Sequence, residues 1–459
     1  MLSFLKSKNL RWSDLAFVIG VLLSVPIIIE SVIQMNVLNP VESMVPFGLT
    51  IALSILIIIS YGTCLFFEFK VYKSPVHLIP LAASVLLILI GCLVMFLQPE
   101  TITITYPDIN GEALELGAAV SGQVRFVYFM CYFTTISMVY IVVFLLSYRI
   151  KNINFLIFFV NILTLICLFG ILFSLISEFQ QYGRLIQHIF SGDESAPIKD
   201  YAIKSFMNHR NIYGALLEFT ILSLMVSYIF TKRKINFIFI GLFYFEMLFT
   251  LCKTGLLITG ASLIIWAAFL ILRNNKNDKK KFYIWLAGII GTIVVLISVS
   301  LTLFFTVPAV NEKVIYFFEG GGTMVGRIKI WKKASSILKD SLVFGRGFGL
   351  FNSILFVVNS LVLSDPTFSV HSMFLSIIGR SGIIGLIAFL ALMVYTVKCV
   401  IDILKKNPTL GVTFLIAFTG IFIHCLFEDH YYVLFVVSFF VLTTKHSYFP
   451  KDEKRLSLI

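Results

Sequence analysis

Apolar segments of about 20 residues, long enough to cross a hydrocarbon core of roughly 30 Å as a helix, recur along this chain of 459 residues. Hydrophobic residues make up 59% of it and charged residues 13%, where an average soluble domain carries about 25% charged residues. The mean hydropathy is +0.96. This is an integral membrane protein, and its net charge of +12 reflects basic cytoplasmic loops rather than an affinity for nucleic acid. Spans are expected at 15–35, 46–67, 77–97, 126–147, 153–176, 211–230, 236–252, 255–273, 283–306, 382–401, 410–427 and 431–445. The run from 236 to 273 is divided at Cys252-Lys253-Thr254-Gly255, since one helix of that length would overshoot the bilayer. The expected fold is an all-α polytopic membrane protein, one integral domain over 1–459 with about twelve transmembrane helices. Met1 to Arg11 is not expected to be a cleavable signal peptide, because no small-residue cleavage site follows the first apolar run.

Basic residues set the orientation. They gather at Lys6, Lys8 and Arg11, at Lys70 and Lys73, at Arg149 and Lys151, and at Lys232, Arg233 and Lys234. Further groups lie at Arg273 to Lys281, at Lys398, Lys405 and Lys406, and at Lys445 to Arg455. Their alternation with the spans puts these segments and both termini inside. Three sizeable loops then fall outside, at 98–125, 177–210 and 307–381. The first is acidic and reads as a solvated cap. The cysteines, among them Cys64, Cys252 and Cys425, lie in or beside apolar runs without disulfide or metal-site spacing. No metal and no cofactor are expected.

The third outer loop is the longest polar stretch, and it is expected to hold short amphipathic helices between spans nine and ten. Ile328, Trp331, Ser335 and Leu338 recur at helical spacing, with Lys329, Lys332, Lys333, Ser336 and Lys339 opposite. That pattern reads as a helix on the membrane surface, its lysines facing lipid headgroups. Arg327, placed at the start of that helix just after Gly326, has the planar fork that binds a diphosphate. Gly345, Gly347 and Gly349 around Arg346 suit either a phosphate loop or a turn back to the membrane. His371 shares an apolar stripe with Phe374, Leu375 and Ile378, so it reads equally as a structural or a catalytic imidazole. Arg380 closes the loop. At span six Arg210, Gly214 and Glu218 share one face, and Glu246 lies two turns from Lys253 at the next hairpin tip. Each buried glutamate either ties helices together or serves as a base or as an orienting charge for an arginine. His424 and His430 flank Glu428 and Asp429 at a further outer tip, a second and weaker cluster.

In order along the chain come Asn208-x-x-Asn211, the basic Lys253 at a hairpin, and Gly326-Arg327 followed by Trp331 and Ala334. Gly345-x-Gly347-x-Gly349-Leu350-Phe351, His371-Ser372-x-Phe374-Leu375 and Gly382-x-x-Gly385-Leu386 follow. This ordered set resembles the O-antigen ligase and Wzy-type polysaccharide polymerase superfamily. The resemblance implies a glycosyltransferase that takes a glycan from a polyprenyl (undecaprenyl) diphosphate carrier, outside the cytoplasmic membrane and without metal. It implies catalytic roles for Arg210, Arg327 and His371, and substrate binding by Lys253, Arg346, Arg380, Trp331, Asn208, Asn211 and Glu218. Two positions depart from the family pattern. Cys252-Lys253 stands where Ser-Arg is usual, and Ser372 stands where Asn is usual. Lysine keeps the charge but loses the fork.

Under this resemblance the chain is expected to be a polymerase of lipid-linked repeats for capsule, exopolysaccharide or O-antigen. The alternatives are a ligase using another acceptor and, from a different class, a lipid-linked oligosaccharide flippase. Partners are the lipid-linked oligosaccharide, membrane lipid, and a chain-length regulator and flippase of the same pathway.

Overall fold

Apolar runs without side chains that compete for backbone hydrogen bonds close those bonds within themselves, and helices result. In the computed structural model the described residues are 19, 52, 55–60, 63, 78–98, 101–107, 113–119, 155–191, 201–207, 209–306, 323–347, 350–360, 370–429 and single positions from 434 to 445. The helices are α1 Leu78–Leu97, α2 Phe155–Ser177, α3 Phe179–Ser191, α4 Arg210–Thr231, α5 Ile235–Thr250, α6 Lys253–Asn274, α7 Lys279–Thr306, α8 Thr323–Leu338, α9 Leu350–Ser360, α10 Met373–Lys406 and α11 Pro408–Phe427. The spans expected at 77–97, 153–176, 211–230, 236–252, 255–273, 283–306, 382–401 and 410–427 each coincide with one of them. Those at 15–35, 46–67, 126–147 and 431–445 lie largely or wholly outside the described residues. Among the described residues, five helices are long and apolar enough to cross a membrane.

The bundle is built around α4, which packs against α2, α5, α6 and α11. Tyr213, Leu217, Ile221, Leu222 and Met225 of α4 are buried in that core. Leu257, Ile387 and Val394 are instead exposed on the outer faces of α6 and α10, as a lipid-facing belt requires. Two ends can be told apart. Lys232, Arg233 and Lys234 join α4 to α5, while Asn407 caps α11 by accepting from the Leu410 N–H at 3.2 Å. At this basic end Lys445 pairs with Asp402. The opposite end gathers Arg210, Lys253, Met373 and Phe427.

The chain is not wholly helical. The segment expected as the first outer loop contains a hairpin of β1 Thr101–Pro107 and β2 Ala113–Ala119, antiparallel with Thr103 opposite Gly117. Its cause is legible in Thr101-Ile102-Thr103-Ile104-Thr105, a β-branched run with period two. β2 rests on α9, so the first and third outer loops meet.

The third loop differs from expectation in three respects. First, the packed face of α8 is Ile330, Ala334, Ile337 and Leu338, with Lys333 buried among them, while Ile328 and Ser335 are exposed. Lys333 Nζ donates to the Val358 carbonyl of α9 at 3.3 Å, so this lysine does not face lipid. Second, α8 begins at Thr323, which places Arg327 a full turn inside the helix, away from its free N–H groups. Third, the short helix after His371 runs on into α10, broken only at Gly382, where φ is +67°.

The segment 342–347 lies along that break. Ile383 N–H donates to the Leu342 carbonyl at 2.9 Å, and Arg346 N–H to the Gly379 carbonyl at 2.7 Å. Gly347 N–H donates to the Arg380 carbonyl at 3.2 Å. Gly345 and Gly347 have φ of +77° and +87°, conformations that glycine adopts without strain. The N–H groups of Arg346 and Gly347 are therefore spent on α10, and that of Gly345 on the Ser341 carbonyl, rather than offered to a phosphate.

Candidate active site

The centre of the polar end is Glu428, the residue that ends α11. Its N–H donates to the His424 carbonyl at 3.0 Å, and its backbone turns extended there. The side chain is 4% exposed, and a buried carboxylate must be paired and hydrogen-bonded. Arg327 Nη2 of α8 donates to Oε1 at 2.6 Å, and Asn211 Nδ2 of α4 donates to the same oxygen at 3.3 Å. His371 Nδ1 lies 2.8 Å from Oε2. One carboxylate thus draws together a cation, an amide and an imidazole from three separate segments. Arg327 and His371 keep 15% and 20% exposure, so their outer edges face the surroundings while Glu428 is covered.

Asp429 repeats the arrangement one layer deeper. Arg380 Nη2 lies 3.5 Å from Asp429 Oδ2, Ser376 Oγ donates to it at 3.3 Å, and Arg380 Nε donates to Asn352 Oδ1 at 3.3 Å. Arg380 is 1% exposed. A guanidinium buried without such partners would cost several kcal/mol, so Asp429 and Asn352 are what allow it there. Arg346 Nη2 donates to the Ile337 carbonyl at 3.2 Å, joining the loop to the end of α8. Trp331 Nε1 donates to the Val370 carbonyl at 2.9 Å, which fixes the indole beside His371 in the chain.

Around the mouth, Arg210 opens α4 and is half-buried, and Lys253 opens α6 and is exposed. Gly214 lets α4 touch the α5–α6 tip, because a Cβ there would collide with Cys252. Glu218, two turns inside α4, is buried, and its Oε2 lies 2.6 Å from His424 Nδ1. Glu246 is held by hydroxyls, from Tyr182 at 2.8 Å and Ser174 at 3.1 Å. Asn208 lies outside the described residues. Of the expected site residues, the structure thus brings Arg327, His371 and Asn211 onto one carboxylate, and sets Arg380, Arg346 and Glu218 beneath it.

The two histidines at the mouth differ in protonation. Burial works against the charge of His371, but the Glu428 carboxylate, by its field and its hydrogen bond, outweighs that and raises the pKa above the ordinary imidazole value. His209 is held below that value, chiefly because protein packed around the ring disfavours its charge, with Glu428 opposing and Arg210 adding. Its Nδ1 accepts from the Asn211 N–H at 3.2 Å as the cap of α4, so its lone pair is already committed. When neutral, His371 gives its Nδ1 proton to Glu428 and carries its lone pair at Nε2. It also stands at φ +49°, a left-handed conformation that costs a non-glycine residue about 1 kcal/mol or more and clusters at functional sites.

Glu428 and Asp429 were visible in the sequence as adjacent acids at a span end. Nothing there indicates that His371 and Arg327, 57 and 101 positions away, converge on the first of them.

Comparison with curated proteins and with solved structures finds no match. A family model described as O-antigen ligase matches residues 237–390. That segment contains Lys253, Arg327, Trp331, Arg346, His371 and Arg380, and stops short of the carboxylates that hold them. Over these residues the chain is similar to the O-antigen ligase family, which supports its resemblance to the O-antigen ligase and Wzy-type polysaccharide polymerase superfamily.

Proposed function

We propose that this protein is a polysaccharide polymerase that joins polyprenyl-diphosphate-linked oligosaccharide repeats at the outer face of the bacterial plasma membrane. The observation that carries the reading is the Arg327–Glu428–His371 triad at the polar end of a membrane bundle. Glu428 takes one donor of the Arg327 guanidinium, which has five. The Arg327 side chain keeps 15% exposure, and there a diphosphate can accept from its remaining donors. As the anomeric C–O bond breaks, its electron pair passes to the diphosphate, and Arg327 with Arg210 stabilises the growing charge. The acceptor hydroxyl attacks the opposite face of the anomeric carbon, which inverts the configuration. His371 Nε2 takes the hydroxyl proton, and Glu428 steadies the imidazolium that forms. Lys253 sits at the same mouth and adds a point charge for the carrier phosphates. The mechanism needs no divalent metal, because cations of the chain already occupy the carboxylates at the centre. About twelve spans with both termini inside would put this end outside the cell.

A ligase would use the same donor chemistry with a different acceptor. The purified protein, given a single defined polyprenyl-diphosphate oligosaccharide, should yield a ladder of products that persists in excess chelator. Product only after a second acceptor is added would make it a ligase. Movement of the intact lipid without chemistry would make it a flippase and end the reading.

A further inference from the structure

The outward side of α8 carries an open groove of about 460 Å³, lined by Ile328, Trp331, Lys332, Ser335, Ser336 and Lys339. It lies opposite the face that packs on α9 and α10. These positions form one continuous stripe, which on a helix rising 1.5 Å per residue extends about 16 Å. The stripe starts one residue after Arg327, and Trp331, one turn on, stands between Arg327 and the remainder.

Its chemistry is mixed in a particular way. Trp331 is pinned by its N–H bond to Val370, so its ring is a rigid apolar wall rather than a mobile one. Ser335 and Ser336 place hydroxyls along the floor, and Ser336 Oγ, which donates to the Lys333 carbonyl, remains able to accept. Lys332 and Lys339, both exposed, sit two turns apart on the same stripe. Among the described lining residues no acid balances them. An aromatic wall, hydroxyls and spaced cations suit a chain of sugars bearing negative charges. A single lipid headgroup would not require so long a stripe joined to the reacting centre.

We infer that this groove binds the oligosaccharide portion of the lipid-linked substrate and selects one that is acidic, carrying uronic acid or a comparable anionic group. The inference rests on the glycosyl-transfer reading for the identity of its ligand. On this account the sugars leave the diphosphate at Arg327, pass Trp331 and run along α8, with their acidic groups on Lys332 and Lys339.

The test is direct binding to the full-length protein in nanodiscs of neutral lipid. The probes are a hexasaccharide alternating uronic acid with N-acetylhexosamine, and a neutral hexasaccharide of equal length. The acidic probe should bind with a salt-sensitive affinity and the neutral one at least tenfold more weakly. Lys332→Ala/Lys339→Ala, which alters two exposed side chains and should melt as the wild type does, should weaken the acidic probe by about tenfold or more. Absence of binding by the wild type, equal binding of the two probes, or full affinity in the double variant overturns the inference. Loss of probe binding when phosphatidylglycerol is added to the nanodiscs would reassign the groove to lipid. Failure of every donor to react, with acidic binding intact, would instead count against the transfer reading and leave the groove standing.

Discussion

Glu428 and Arg327 exert opposite influences on His371, and the pH dependence of the rate exposes them. If His371 is the base, the rate falls as pH drops through its pKa, which Glu428 has raised and Arg327 partly offsets. Glu428→Gln should slow turnover by roughly 10²-fold or more and move the acid limb to lower pH. Arg327→Ala should also cost on the order of 10²-fold to 10³-fold but move the limb to higher pH, with Arg327→Lys recovering only part of the rate. Rate profiles of the two variants from about pH 5 to 9 decide this, and limbs shifting in the same direction would remove His371 from the role of base. Arg327 and His371 were legible in the sequence as candidates because each lies in the longest polar stretch of an otherwise apolar chain. Glu428 was not, since its importance comes from what converges on it from three separate segments. Lys333 was misjudged for a related reason: stripes one position apart on α8 fit the sequence almost equally well, and only packing against α9 selects between them. Its bond to Val358 leads to an expectation that Lys333→Ala lowers stability by about 1 kcal/mol, a fall of roughly 1 °C in Tm for a chain of this length, while exposed Lys329→Ala leaves Tm unchanged.

Among the elements, α10 is the one whose irregularity matters. Its break at Gly382 lets the loop 342–347 bond along it, and this joins α8, which bears Arg327, to the helix that carries Arg380. A side chain at 382 would overlap the Val343 carbonyl and would stand at positive φ. Gly382→Ala should therefore destabilise the protein by more than about 2 kcal/mol and depress activity with it. Gly326→Ala, where a Cβ meets nothing within 4 Å, serves as the control in a thermal melt and should match the wild type. Equal melting of the two variants would mean that the break is not a structural joint. Helix positions were readable from apolar length because membrane helices satisfy their own backbone. The β-hairpin was passed over, although its alternating Thr-Ile run is present, because the acidic composition of that loop drew a solvated reading.

At the scale of the whole molecule, the Lys232–Lys234 turn and the end bearing Glu428 lie at opposite ends of α4, and the expected orientation can be tested directly. Single cysteines introduced at Ser191 and Asp365 should react with an impermeant thiol reagent from outside the cell, and those at Asn277 and Lys406 should not. Labelling of Asn277 from outside would invert the topology and put the triad in the cytoplasm. The number of spans was read from hydropathy and from the alternation of basic residues, neither of which carries information on how the helix ends meet.

The order in which the chain is made gives the Glu428 arrangement one more consequence. Asn211, Arg327 and His371 all emerge from the ribosome before the carboxylate that gathers them, which arrives with the turn after α11. A nascent chain halted anywhere earlier holds its cations without their anchor. Assembly of the cluster therefore waits on synthesis through Glu428, and a chain cut short of that residue carries Asn211, Arg327 and His371 without the group on which they converge.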